Sequence, residues 1–553
     1  MSYIETRLLN SLAKVFLDSA PVENLKEAKI LANDTLSFQV AFRGDEFEVN
    51  KYNIKLSVQS DIDVGISKYV VENVPCDRTS YSKIDRFYDR LTPGLYPDAL
   101  LAYDTYSKAF ATGRWYSVWI SINESKKMLQ KGRHYIEVKI SDSEGKAESV
   151  QRLELEVLEA CLPPQKLIYT NWFHCDCICD AYGCKMFSKK HWELIESFMS
   201  CATMHGQNMI LVPAFTPPLD TPIGAERKTA QLVGVKKDNG KYTFDFTGFI
   251  KFIELAKRCG FEYFEHSHLF TQWGATHAPK IIATVDGKKK RIFGWETDAC
   301  SDEYRGFLKV YLKAVKKVVE ELGITDNFYY HISDEPHRED LESYRGAREG
   351  IIGEVRSDHI IDAISDIFFV EHKLAENPIP AVNEVEPFVG KVNMPWTYYT
   401  GLLPAGGYSN RLISMPASRN RILGIQLYYY GIKGFLHWGY NFYYNSTSQI
   451  YCNPFVTTDA NREFVSGTSY MVYPHKNGAA PSIRQKNFGE GICDYRALEA
   501  LEAHIGREGC MAFIEESFND FNFKTCMEPE DTQTLFEFRQ RLNQKINSYK
   551  EKL

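Results

Sequence analysis

No window of this 553-residue chain approaches the ~18 uninterrupted apolar residues that a membrane-crossing helix needs. The opening segment, MSYIETRLLNSLAKVFLDSAP, is broken by Glu5, Arg7, Lys14 and Asp18, so it lacks the apolar core of an export signal. Strong charge of either sign is also missing. A net charge of −7 on a chain this long gives no reason to expect nucleic acid or an anionic membrane as the partner. The 13 cysteines are odd in number and scattered, which does not read as a disulfide framework. With no export signal they are expected to be reduced thiols, and the protein is expected to be cytoplasmic. No glycine-rich nucleotide loop follows any predicted strand, which disfavours a dinucleotide-binding sheet.

What is present is an ordinary globular composition, 44% hydrophobic and 25% charged, which argues against long disorder. Residues 1–160 read as all-β. LSFQVAF (36–42), NIKLSVQ (53–59), WYSVWISI (115–122), HYIEVKIS (134–141) and RLELEVLE (152–159) alternate or are β-rich, and Pro93, Gly94 and Gly132 read as turn residues between them. Short strands at this spacing predict a β-sandwich. The prolines of CLPPQ (161–165) read as a stiff linker.

From 166 to 505 strands and helices alternate. Predicted strands are LIYTNWF (167–173), NMILVPAF (208–215), FEYFEHSHLF (261–270), NFYYHIS (327–333), HIIDAIS (359–365), VNMPWTYYT (392–400) and GFLHWGYN (434–441). Helices are predicted from Ser188 to His205, over 246–260, from Asp302 to Leu322 and from Ser482 to Ile505. This alternation predicts an α/β protein whose parallel sheet closes as a (β/α)8 barrel, with a doubly wound sheet as the alternative. Residues 506–553 read as a helical extension, packed on the barrel or partly mobile.

The strongest chemical signal is HISDEPH (331–337), at the C-terminal end of a predicted strand, where barrel enzymes carry their catalytic groups. In a regular strand Asp334 and Glu335 would face opposite ways, but Pro336 forces a turn that can bring both into one cavity. Two close carboxylates cannot both ionise freely, so one can serve as an acid, and glycoside cleavage needs such an acid. Asp-Glu-Pro is also common in solvated surface turns, and the dipeptide alone favours that reading. Other strand ends sharpen the choice. They carry Asn171, Trp172 and His174; His266, His268, Gln272 and Trp273; Trp396 and Tyr398; and His437, Trp438 and Asn441. Any one of these reads first as a core aromatic or a satisfied histidine. Their recurrence at strand ends suits a polyhydroxy substrate.

Several long, ordered motifs carry a family resemblance. NWFHCDCI, NMILVPAFTPPLDT, HLFTQWGA, FGWET, HISDEP, WTYY (396–399), GIKGFLHWGYN (431–441) and PSIRQKNFGEGICDYRALEAL resemble the catalytic domain of glycoside hydrolase family 123 over roughly 165–505. YDRLTPGLYPDAL (88–100) resembles that family's N-terminal domain. The resemblance implies removal of a β-linked N-acetylhexosamine, characteristically N-acetylgalactosamine, from an oligosaccharide or glycoconjugate by substrate-assisted catalysis without a cofactor. It implies Asp334 and Glu335 as the catalytic pair. By position, Tyr398 is expected at the acetamido oxygen and Trp396 and Trp438 as walls for the sugar ring. Asn171, His174, His268, Trp273 and Asn441 complete the expected substrate set.

Two rival readings remain. His174 with Cys175, Cys177, Cys179 and Cys184 is a zinc-type donor set, but its spacing is not that of a zinc knuckle, so no metal is expected. A non-catalytic carbohydrate-binding protein would keep the aromatics yet have no need of the acid pair. The sugar's identity, its acetylation and homo-oligomerisation stay open.

Overall fold

The computed structural model describes residues 3–550 except 46–49, 82–84, 86, 220, 400–406, 477, 519–520, 523 and 525–531. The N-terminal region forms two sheets. Five antiparallel strands run in the order Tyr3–Asn10, Leu36–Asp45, Tyr116–Ile122, Ile66–Cys76, Gly94–Ala102. Four more run in the order Glu27–Leu31, Glu148–Leu158, Gly132–Asp142, Ile54–Ser60. Alternation fixes which face is buried. Leu153, Leu155 and Val157 are buried, whereas Arg152 and Glu154 are exposed. Those leucines join Phe38, Val40, Val118 and Ile120 of the first sheet in one core. Gly94 and Gly132, expected in turns, begin strands instead.

The outer face of the five-stranded sheet is buried too. Trp119 packs into the core of the rest of the molecule, and Lys486 of the helix Ile483–Glu515 pairs with Glu124. The N-terminal region is therefore docked through this sheet face, and the Ile66–Cys76 strand, whose Val71, Val74 and Cys76 join the same core, leads into the loop that reaches the strand ends described next.

Eight parallel strands follow: β1 (Ile168–Asn171), β2 (Met209–Val212), β3 (Tyr263–His266), β4 (Phe328–Tyr329), β5 (Ile361–Ala363), β6 (Asn377–Ile379), β7 (Trp396–Tyr399) and β8 (Gly434–His437). Six form one sheet in the order β4-β3-β2-β1-β8-β7, and β5 and β6 form a second. Isolated parallel bridges join Tyr330 to Ile360 and Ala381 to Tyr398, at the two edges of the larger sheet. One buried cluster draws Trp172, Leu211, Tyr329, Ile361, Ile379, Trp396 and Leu436 from both sheets. Strand β6 was not anticipated, and β4 is far shorter than the seven residues expected.

Three helices follow their predicted bounds because capping and periodicity agree, whereas the one predicted to end at Ile505 breaks at Gly506 and resumes to Glu515. Ser188, Ser301 and Ser482 each accept a hydrogen bond from the amide three residues on, an N-cap geometry. The helix Asp302–Glu321 buries Tyr304, Phe307, Leu308, Tyr311, Leu312, Val315 and Val319, one stripe at helical spacing. Two hairpins, Gly234–Asp238 with Lys241–Asp245 and Ile281–Val285 with Lys288–Phe293, form an unanticipated four-stranded sheet. No described helix is long and apolar enough to cross a membrane.

The C-terminal helix Thr532–Lys550 covers the edge strand Glu27–Leu31, rather than packing on the eight-stranded part alone. The Lys29 amide donates to Gln540 Oε1 at 2.6 Å, and Asn543 Nδ2 donates to the Lys29 carbonyl at 2.8 Å. Such cover removes an exposed edge. Buried Arg539 clasps the arrangement, pairing with Asp34 and, at 2.6 Å, with Asp494 of the long helix. Removing one partner of a buried pair leaves charge without compensation. Arg539→Met should therefore destabilise the protein by about 3–5 kcal/mol in urea unfolding. A midpoint indistinguishable from that of the parent would show that the clasp contributes nothing.

Candidate active site

The chain after β4 leaves the sheet but is hydrogen-bonded on both sides. The carbonyls of His331 and Ile332 accept from Leu269 and Phe270 at 3.0 and 3.1 Å, and that of Asp334 accepts from Trp273 at 2.8 Å. On the other side, Asp362 Oδ1 accepts from the amides of Ile332 and Ser333 at 2.8 and 3.3 Å. The Glu335 amide donates to the Ala363 carbonyl at 3.0 Å. Glu335 itself holds φ at +47°, a left-handed conformation that costs a non-glycine residue energy. The turn thus falls on Glu335, one residue before the expected Pro336. It directs Asp334 and Glu335 into the same cleft.

Beneath this turn lies a buried charge network. His331 Nε2 donates to Glu265 Oε2 at 2.7 Å, and its Nδ1 faces Asp362 Oδ1 at 3.8 Å, an ion-pair contact too long for a hydrogen bond. Burial alone would lower the imidazole pKa, but the two carboxylates outweigh it and raise it to about 9. Glu265 also accepts from Thr170 and, at 3.2 Å, from Trp172 Nε1. Asp362 accepts from the Tyr344 hydroxyl at 2.7 Å. His268 stacks on His331 at 4.4 Å and is held neutral, by burial first and then by the charge of His331.

Three indoles border the cleft: Trp172 after β1, Trp273 after β3 and Trp438 after β8. Trp273 is 49% exposed, so its ring is available to a ligand. Tyr398 of β7 donates to Glu335 Oε1 at 2.5 Å. Burial, then the adjacent Glu335, hold its phenol well above the usual range, so it remains a proton donor.

The other expected residues do not line the cleft. Trp396 begins β7, two residues before Tyr398, and lies over Gly434, where an added Cβ would overlap the indole. Asn171 faces the opposite side of β1 from Trp172 and accepts from Arg411 at 2.6 Å. The Asn441 side chain accepts from the His174 amide and donates to the His174 carbonyl, and His174 Nε2 meets the Trp438 carbonyl at 2.9 Å. They thus hold the Trp438 segment in place from behind. His174 Nδ1 lies 2.8 Å from Arg227, which pairs with Asp176. Among the described residues no His, Cys, Asp and Glu cluster is arranged to hold a metal ion. Burial pushes the Cys175 and Cys177 thiols well above their ordinary range.

Sequence reading missed Arg78, Tyr81, Glu463 and Phe464, which also border the cleft. Arg78 Nη1 donates to the carbonyls of Arg462 and Glu463 at 3.0 and 2.9 Å, which joins the N-terminal region to the loop after β8. No local motif marks these residues, because only the docking of the two regions brings them there.

The family model for the glycoside hydrolase 123 catalytic domain matches residues 172–501. The chain belongs to glycoside hydrolase family 123. A family 123 glycoside hydrolase from Clostridium perfringens, described in terms of glycolipid glycan hydrolysis, is similar in structure with a TM-score of 0.73 at 15% identity, covering 100% of this chain and 98% of that one. It shares the fold. A putative β-galactosidase from Bacteroides fragilis aligns at a TM-score of only 0.30 and 10% identity, over 87% of this chain and 60% of that one, too low to carry an argument. No curated protein matches the sequence.

The raised pKa of His331 has a stability consequence with a definite sign. A group whose pKa rises on folding stabilises fully below its unfolded value, about 6.5, and loses that contribution as pH climbs through its folded value. His331 should therefore contribute on the order of 3 kcal/mol at pH 6, lost progressively as pH rises through about 9. His331→Gln should be less stable at pH 6 and show a flatter stability profile from there to alkaline pH. Parallel profiles for the two proteins would rule out a charged His331.

Proposed function

We propose that the chain hydrolyses β-linked N-acetylhexosaminides, N-acetylgalactosaminides foremost, with retention and with the sugar's own 2-acetamido group as nucleophile. The observation that carries this reading is the presence of two consecutive carboxylates, Asp334 and Glu335, in one cleft bordered by indoles. In such a mechanism no enzyme carboxylate bonds to the anomeric carbon. Asp334 orients the acetamido N–H and balances the positive charge that develops as the acetamido oxygen attacks. Glu335 gives its proton to the departing oxygen, then takes one from the water that opens the oxazoline. The Tyr398 hydroxyl, bound to Glu335 in the unliganded site, is the donor that substrate can draw onto the acetamido oxygen. Trp438 and Trp273 offer ring faces to the sugar and its aglycone.

The architecture read for this activity is a β-sandwich over 1–160, a (β/α)8 barrel over 166–505 and a C-terminal helical extension over 506–553. Closure of the barrel is supported by the bridges from Tyr330 to Ile360 and from Ala381 to Tyr398, and by the apolar cluster common to both parallel sheets. A sandwich is supported by the core that the two N-terminal sheets share.

The two carboxylates should separate kinetically. Glu335→Gln should lose activity chiefly on substrates with poor leaving groups, since a general acid matters most there, by about 10²–10⁴-fold. Asp334→Asn should lower kcat far more than it raises KM, because its charge is needed only in the transition state. Equal losses of Glu335→Gln on activated and unactivated glycosides, or a pure KM effect of Asp334→Asn, would contradict these roles.

A further inference from the structure

Three residues that neighbour cleft residues in sequence face the other way. Asn171, His437 and Tyr399 lie in register across β1, β8 and β7. Neighbours on a strand point to opposite faces, so this row is the reverse side of Trp172, Trp438 and Tyr398. Arg411 is buried against the row at 1% exposure. Its Nη1 donates to Asn171 Oδ1 at 2.6 Å and its Nη2 to the Gly439 carbonyl at 3.0 Å. Its Nε–H finds no acceptor among the described residues.

His437, fully buried, accepts at Nδ1 from the Gly439 amide at 2.9 Å. Its hydrogen is therefore on Nε2, and that N–H also lacks an acceptor among the described residues. Gly439 thus bonds both side chains, Arg411 through its carbonyl and His437 through its amide. The nearest other cation, Arg484, donates to the Arg411 carbonyl at 3.0 Å and is balanced by Asp98 at 2.9 Å. No described carboxylate pairs with Arg411, so this pocket of the core holds one positive charge in excess. Burial pushes Arg411 down to about 9, which still leaves it charged at neutral pH. An unpaired buried cation is among the costliest arrangements in a protein core. A water would satisfy the two donors but not the charge. A small monovalent anion does both.

We propose that a buried halide, chloride in solution, binds between Arg411 Nε and His437 Nε2 on the reverse face of β7 and β8, and that its occupancy steadies Tyr398 and Trp438 in the cleft. The full-length protein in chloride-free gluconate buffer should melt on the order of 2 °C lower than in chloride, with saturable recovery on adding chloride or bromide. Crystals grown in bromide should show an anomalous peak beside Arg411, a readout that needs no substrate and no variant. Hydrolysis of an aryl glycoside should fall several-fold without halide. Arg411→Met, which removes the charge, should melt at the same temperature in both salts. Absence of the anomalous peak together with equal melting of the native protein in both salts would overturn the site and leave a water there. A peak and a melting shift with an unchanged hydrolysis rate would overturn the coupling to the cleft.

Discussion

One imidazolium, that of His331, lies buried between the carboxylates of Glu265 on β3 and Asp362 on β5. The three groups stand or fall together, since removing the cation would leave two anions in a medium that cannot solvate them. Through Glu265 the network reaches Thr170 and Trp172 at the end of β1, and through Asp362 it fixes the backbone at Ile332 and Ser333. Asp334 and Glu335 follow directly, so their placement inherits the rigidity of the buried ions. Two carboxylates against one imidazolium also leave net negative charge below a cleft that holds two further carboxylates. Fixed negative charge of this kind favours the cationic sugar of a glycoside-cleaving transition state.

The strand ends work on two faces at once. Along β1, β7 and β8 the residues that border the cleft alternate with a row facing the other way, in which Asn171 accepts from Arg411, so Trp172, Tyr398 and Trp438 each have a sequence neighbour on the far side. His174 and Asn441 add a brace behind Trp438, through its carbonyl and through each other. The cleft is therefore supported by polar groups rather than by apolar packing alone, which suits side chains that must hold an orientation.

Much of this was legible in the sequence, and the misses have physical causes. Asp334 and Glu335 were singled out because a strand end carried both, and both border one cleft. Trp396 and Tyr398 were both expected at the substrate, but they share a face at different depths, and only Tyr398, the later one, borders the cleft. Asn171 failed on parity, being one residue from Trp172. Strand β6 is Asn377, Pro378 and Ile379, too short and too proline-broken to show a period. The two extra hairpins did carry a signal. Asn239-Gly240 and Asp286-Gly287 all adopt positive φ, the pairs that two-residue hairpin turns require. Arg78 and Tyr81 lie more than 250 residues before Asp334 and Glu335, and nothing local could have placed them in the cleft.

The reading that the substrate supplies its own nucleophile can be tested without altering the protein. Matched aryl β-galactosides, one with a 2-acetamido group and one with a 2-hydroxyl, differ only in the group said to attack. The account predicts efficient hydrolysis of the acetamido sugar, negligible turnover of the hydroxyl sugar and no glycosylated peptide by mass spectrometry during turnover of either. Comparable rates for the pair, or a sugar recovered on Asp334 or Glu335, would contradict it.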